Sequence, residues 1–174
     1  MRSIDSIAKL DLAFSLLCLQ HRFSNPLSRI SKAISHTGDG HLYAAIGLLA
    51  WWQGGEVGRL FLVAGLLAFI VELPIYWLAK NLFKRRRPEE FSELVVSYIT
   101  PSDRYSLPSG HTAAAFVMAT LLSYFYPELG IFAFAWASLI GASRIMLGVH
   151  FLTDVVLGAL LGLGCAQIAL TLIL

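Results

Sequence analysis

The sequence predicts an all-α fold: a polytopic membrane helix bundle of about five or six transmembrane helices, with an amphipathic helix at its N-terminus. Two observations predict it. The 174 residues are 57% hydrophobic and only 14% charged, with a mean hydropathy of +0.69. That leaves too few polar side chains to cover the apolar surface of a soluble domain, so lipid must cover it. The apolar residues are also gathered into runs close to the ~20 residues that a helix needs to cross a bilayer.

Taken in order, residues 4–20 carry Ile4, Ile7, Leu10, Phe14 and Leu17 at helical spacing, opposed by Asp5, Lys9, Asp11 and Gln20. This pattern reads as a helix lying in the membrane interface rather than as a sixth span. Charges at Asp5, Lys9 and Asp11, and no small-residue cleavage pattern, argue against a cleaved signal peptide. Residues 40–54 form a short span, with Trp51 and Trp52 suited to an interface. Residues 60–79 are the clearest span, and 109–126, 130–147 and 151–174 supply three more, separated by tight turns at 127–129 and 148–150. Between the second span and the third lies one long polar segment, 80–108, the expected active-site loop. No repeat or low-complexity tract divides the chain, which reads as a single membrane-embedded domain over 1–174, with 1–39 as interfacial N-terminal helices.

Charge and cysteine usage narrow the chemistry. The net charge of +2 is small and says little about nucleic acid or acidic partners, no nucleic acid partner being expected, and Cys18 and Cys165 lie in apolar stretches that suggest neither a disulfide framework nor a zinc site. The distribution of charge is more telling, because five of the 13 basic residues fall between Lys80 and Arg87. That concentration implies a local anion.

Three segments carry reactive or anion-binding residues where a membrane protein ordinarily avoids them: KNLFKRRRP at 80–88, PSGH at 108–111 and SRIMLGVHFLTD at 143–154. His150 and Asp154 are four apart, so the carboxylate can hold one imidazole nitrogen and leave the other with a free lone pair, which makes a nucleophile. Ser109 reads as the N-cap of a helix, Gly110 as a point of close backbone approach, and the helix N-terminus as a phosphate site.

Written as K-x6-RP, PSGH and SR-x5-H-x3-D, these segments resemble the three-part signature of the type-2 phosphatidic acid phosphatase superfamily, the lipid phosphate phosphatases. The likeness extends over residues 60–174 and leaves 1–39 out. It implies a metal-independent hydrolase of membrane lipid phosphates or diphosphates, without a cofactor, acting through a phosphohistidine. His150, His111 and Asp154 would be catalytic, with His111 as general acid. Lys80, Arg87, Ser109, Gly110 and Arg144 would bind the phosphate, arginine's fork suiting paired oxygens. Candidate substrates are phosphatidylglycerol phosphate, phosphatidic acid, undecaprenyl or other isoprenoid diphosphates, and lipid A phosphate, and the sequence names no oligomeric state. Vanadate-type haloperoxidase chemistry and a non-catalytic lipid-binding protein are the rival readings.

Plainer readings stand beside these. Lys84, Arg85 and Arg86 read as a cationic anchor at a helix end. Metal ligation by His150 and Asp154 lacks further ligands, and Arg144 would repel a cation. Ser109 could be only an N-cap and Ser143 only a packing residue. Glu72, beside Pro74 inside a span, is either functional or a partner for a broken helix. The segment SHTGDGH, 35–41, reads as a turn with a helix cap, with head-group contact as the alternative. His21 carries no assignment, and Arg104, four residues before Pro108, could line the rim of the site. Twelve of the 13 basic residues fall on the site's side of a five-span bundle, which places that side in the cytoplasm by charge, whereas the resemblance implies a bacterial inner membrane with the site facing the periplasm or exterior.

Overall fold

The computed structural model describes residues 2–19 and 24–174, with side chains from 9–19 and 26–174; Gln20 and His21 lie outside the described residues. Within them the chain is helical, with no strand. The helices are α1 (Arg2–Leu19), α2 (Ser24–His36), α3 (His41–Gln53), α4 (Gly55–Phe83), the single turn α5 (Pro88–Phe91), α6 (Gly110–Phe125), α7 (Gly130–Met146) and α8 (Leu152–Ile173). A 3-10 turn, Pro127–Leu129, joins α6 to α7.

The distribution of side chains is inverted relative to a soluble protein. Large apolar residues such as Leu66, Ile70, Trp77, Ile131 and Leu160 face outward, while Asp11, Glu72, Lys80, Arg87, Arg144, His150 and Asp154 are buried. Such a surface needs lipid around it, so the chain is an integral membrane protein. Three segments are long and apolar enough to cross a bilayer: Gly55–Phe91, Pro127–Met146 and Leu152–Ile173. The expected spans at 40–54 and 109–126 correspond to α3, of 13 residues, and α6, of 16.

Helix α4 shows how one stripe serves both packing and chemistry. Gly58, Phe61, Ala64, Ala68 and Glu72 recur every three or four residues, Lys80 follows eight residues on, and together they are its buried face, apolar toward the N-terminus and charged toward the C-terminus. The helix outruns the expected 60–79 at both ends. Its extra N-terminal turn packs on α3, where Gly58 comes so close to the Ala50 carbonyl that a Cβ would lie 1.8 Å from it.

α6 is the central helix, packed against α4, α7 and α8. Its contact with α8 is a small-residue crossing: a Cβ on Gly158 would lie 2.6 Å from the Ser109 carbonyl, and one on Gly162 would lie 2.2 Å from that of Ala113. The two glycines are four apart, on one face of α8, which brings the two backbones into contact. The N-terminal helices dock on the same end of the bundle as the polar loop. α2 lies on α7 and buries Ser28, Ser31 and Ser35, while α1 reaches α5, α7 and α8.

Candidate active site

Four chain segments converge at one end of the bundle: the C-terminal turn of α4 with the 84–109 loop, the start of α6, the α7–α8 turn, and the α2–α3 turn. Arg87, His111, Arg144 and His150 share the polar end of one cavity of about 740 Å³. The remainder of that cavity runs between α3, α4 and α6 along Leu62, Leu66, Phe69 and Met118.

The two phosphate candidates from the first motif are tied to the loop that follows them. Lys80 Nζ donates to Asp103 Oδ1 at 2.6 Å and to the Tyr105 carbonyl at 2.6 Å. Arg87 donates to the same Asp103 oxygen at 2.5 Å and to the Val149 carbonyl at 2.6 Å. Tyr76 donates to the other Asp103 oxygen at 2.6 Å. Burial by itself pushes the Asp103 carboxyl up, but the hydrogen bonds from Lys80 and Tyr76 and the Arg87 charge outweigh it and hold the group below the usual carboxylate range. Asp103 lines the cavity and Lys80 stands behind it.

His150 follows Gly148, whose φ of 72° and proximity to the Val96 carbonyl, 2.5 Å from a Cβ placed there, turn the chain sharply between α7 and α8. Its ring is 3% exposed, with Nδ1 3.7 Å from Asp154 Oδ2, an ion-pair distance rather than a hydrogen bond. Burial pulls the imidazole down to about 4; the Asp154 carboxylate opposes this, and the charges of Arg144 and Arg87 add to it. The ring is therefore neutral near pH 7. Asp154 has no exposed surface, accepts the backbone N–H of Phe151 at 2.8 Å, and receives Arg85 Nη1 at 2.7 Å.

Arg85 departs from its expected part as a membrane anchor. Its other guanidinium nitrogen donates to Asp11 of α1 at 2.7 Å, its face lies 4.3 Å from the Phe151 ring centroid, and Thr153 is bonded to both Asp11 and Arg85. The loop between α4 and α5 brings it back over the start of α8, so Arg85 braces Asp154 and Asp11 of α1 in turn holds Arg85. Lys84 and Arg86 remain exposed.

The PSGH turn follows a cis Leu107–Pro108 peptide. Ser109 occupies the N-cap position of α6, but its hydroxyl makes no capping bond; it accepts Thr112 Oγ1 at 2.9 Å, and its backbone N–H donates to the Asp154 carbonyl at 3.0 Å. Gly110 does provide a close approach, toward the Tyr76 ring, 2.9 Å from a Cβ placed there. His111 Nε2 meets Asp39 Oδ1 at 2.8 Å. Arg144, 4% exposed, donates through Nη1 to Ser35 at 2.5 Å and leaves Nε without a partner. Ser143 spends its hydroxyl on the Ile140 carbonyl at 2.6 Å. Glu72 lines the cavity, and α4 continues through Pro74.

The eight residues expected at the site thus gather at one end of the bundle. Reading the sequence missed Asp11, Asp39, Arg85 and Asp103. The only available signal for Asp39 was its place in a histidine- and glycine-rich turn.

Fold and site together define a membrane-embedded helical bundle with two histidines and two arginines at the polar end of a largely apolar cavity and a buried lysine behind them. The chain belongs to the PAP2 superfamily, whose model matches residues 57–174. Its structure is similar to that of LpxE from Aquifex aeolicus, with a TM-score of 0.81 and 30% identity over 93% of this chain and 95% of that one. It is also similar to the transmembrane PAP2 type phosphatidylglycerolphosphate phosphatase of Bacillus subtilis, with a TM-score of 0.76 and 26% identity over 96% and 86% of the two chains. Among curated proteins it is 31% identical to the bacitracin transport permease protein BcrC of Bacillus licheniformis over 121 residues, 69% of this chain and 60% of that protein. The match therefore spans less than two-thirds of that relative. Asp11 and Asp39 lie outside the family-matched segment.

Proposed function

We propose that this chain is a metal-independent phosphatase of membrane lipid phosphates or diphosphates that works through a phosphohistidine at His150. The observation that carries the reading is one cavity with two ends of opposite chemistry, basic and histidine-lined at Arg87, His111, Arg144 and His150, and apolar from Leu62 to Met118. An acyl or isoprenoid chain matches the apolar part and a phosphoryl group the polar part. The names of the relatives support a lipid phosphate as substrate, one of them being a phosphatidylglycerolphosphate phosphatase; phosphatidic acid and undecaprenyl diphosphate stay candidates on the family resemblance.

The chemistry then divides between the histidines. The phosphate displaces Asp103 from Lys80 and Arg87, and Arg144, whose Nε has no other partner, completes the neutralisation of its oxygens. Neutral His150 attacks phosphorus through Nε2 while Asp154 and Arg85 steady the ring and its carboxylate. The bond from phosphorus to the lipid oxygen breaks, and that oxygen takes a proton from His111. Water next attacks the phosphohistidine and gives a proton back to His111, the P–N bond breaks, and orthophosphate leaves with His150 restored.

Five spans, α3, α4, α6, α7 and α8, fit this reading, with α1 and α2 on the site's face of a bacterial inner membrane and that face directed outward. Labelling of a cysteine introduced at the exposed Ser102 by an impermeant reagent in intact cells tests the orientation; labelling only after lysis would reverse it. For the activity, phosphate release from a panel of lipid phosphates is measured in detergent with a chelator present. Wild-type protein should turn over and His150→Ala should lose activity by at least about 1,000-fold, as removal of a covalent nucleophile does. A His150→Ala protein that works at the wild-type rate, or an activity abolished by the chelator, would overturn the proposal.

A further inference from the structure

Asp39 sits in the turn between α2 and α3, outside the family-matched segment. Its carboxylate bridges two imidazoles: Oδ1 is 2.8 Å from His111 Nε2, and Oδ2 is 2.5 Å from His36 Nδ1. The turn itself is pinned in place. Trp136 of α7 donates to Thr37 at 3.0 Å, Gly40 adopts a φ of 89°, and Gly38 is buried so closely that a Cβ would lie 3.1 Å from Ile140 and 3.4 Å from the His111 ring. The peptide at Gly38 thus covers one side of the imidazole while Asp39 holds its edge.

We infer that Asp39 is the positioning residue of His111, fixing the tautomer and the angle of the imidazole that gives a proton to the lipid oxygen and takes one from the attacking water. This deepens the phosphatase reading and rests on it. With Nε2–H donated to Asp39, Nδ1 is the nitrogen left for proton transfer. The site then contains two histidine–aspartate pairs, Asp154 serving the nucleophile and Asp39 the acid, contributed by opposite ends of the chain. Other charges also face His111, Arg144 from α7 and Asp103 from the loop, and a second cavity of about 420 Å³ brings Lys32 and His36 of α2 to the same edge. Among the described residues, Asp39 alone is hydrogen-bonded to the ring. Burial alone pushes the Asp39 carboxyl up, but the hydrogen bonds from His111 and His36 outweigh it and hold the group below the usual range, so it is ionised at neutral pH.

A proton donor matters most when the leaving oxygen is a poor leaving group. Lipid alcohols need the proton; 4-nitrophenolate scarcely does. Asp39→Asn and Asp39→Glu are therefore assayed in detergent on an alkyl lipid phosphate and on 4-nitrophenyl phosphate, beside His111→Ala and His150→Ala. Loss of orientation should remove part of the 100- to 10,000-fold that general acid catalysis supplies, so Asp39→Asn should lower kcat/KM on the lipid, which reports phosphoryl transfer from substrate to His150, about 10- to 100-fold. On 4-nitrophenyl phosphate kcat/KM should stay within about threefold, with Asp39→Glu recovering part of the lipid value; kcat on both substrates also contains the shared hydrolysis of the phosphohistidine. Equal losses on the two substrates would mark a merely structural role and overturn the inference, as would wild-type turnover of the lipid by Asp39→Asn. The controls separate this failure from failure of the phosphatase reading. An active His150→Ala sinks both, whereas inactive histidine variants beside an unimpaired Asp39→Asn sink only the role of Asp39.

Discussion

The α6–α8 crossing sets the distance between the two halves of the site, and Gly162→Ala should expose that dependence. A Cβ at residue 162 would lie 2.2 Å from the Ala113 carbonyl oxygen, and real Cβ contacts do not fall below 3.0 Å, so the two helices must part by about 0.8 Å. The obstruction is backbone, which cannot rotate away. One turn nearer the site, Gly158→Ala starts at 2.6 Å from the Ser109 carbonyl and demands about 0.4 Å. The start of α6 carries Ser109 and His111, whereas the start of α8 carries Asp154 with His150 just before it, so parting the helices separates donor from nucleophile. A misplacement near 1 Å can cost about 100-fold in rate, so Gly162→Ala should lower kcat/KM on a lipid phosphate by about 10- to 100-fold. Overpacking should also cost about 1–3 kcal/mol, visible as a lower apparent Tm in detergent. Gly164→Ala is the control, because a Cβ there meets nothing within 4 Å. Alanine also favours a helix over glycine by about 1 kcal/mol, so the control should be neutral or slightly stabilised. If Gly162→Ala matched Gly164→Ala in both rate and Tm, the close crossing would not be what spaces the site.

Two further outcomes follow from the buried charges. Arg85→Met should release Asp154, Asp11 and Thr153 at once; kcat on lipid phosphates should fall about 10-fold or more while Arg86→Met, at an exposed position, should stay near wild type, and equal behaviour of the two would return Arg85 to the membrane anchor. His150 titrates near 4 in the folded chain and near 6.5 when unfolded, so the unfolded state takes up a proton between those values that the folded state refuses. Stability should therefore fall as pH drops from 6.5 toward 4, and His150→Gln should flatten that slope; the lowered Asp39 and Asp103 carboxyls lose their contribution in the same direction, from about pH 5 downward through the unfolded value of 3.8, so the His150 slope is read between pH 6.5 and about 5. An unchanged slope in His150→Gln would contradict a buried neutral imidazole.

The lipid-facing helices were legible because a bilayer imposes a length and a polarity that composition displays directly. The stripe that buries Phe61, Ala64, Ala68 and Glu72 on α4 follows from 3.6-residue periodicity, and the same periodicity delivers Lys80 to the site. Boundaries were less legible. α4 gains its first turn from contact with α3, a tertiary interaction that no local run of residues records.

The site divides along the same line. His111, His150, Asp154, Lys80, Arg87 and Arg144 announce themselves in sequence because charge and imidazole are costly in a membrane and appear there for a reason. What the sequence determined by itself was therefore the bundle, the membrane and the residue types that an anion and a proton transfer require. Tertiary structure alone decided which side chains hold them: Arg85 beside Asp154 across 69 positions, Asp11 beside Thr153 across 142, Asp39 beside His111 across 72, and Asp103 on Lys80 and Arg87. These pairings carry no periodicity and no motif: Asp11 stands out only on the polar face of α1 and Arg85 only within the basic run. They meet because loops at one end of a bundle have few places to go, and a buried charge there is stable only where an opposite charge or a hydrogen-bonding group has been folded against it.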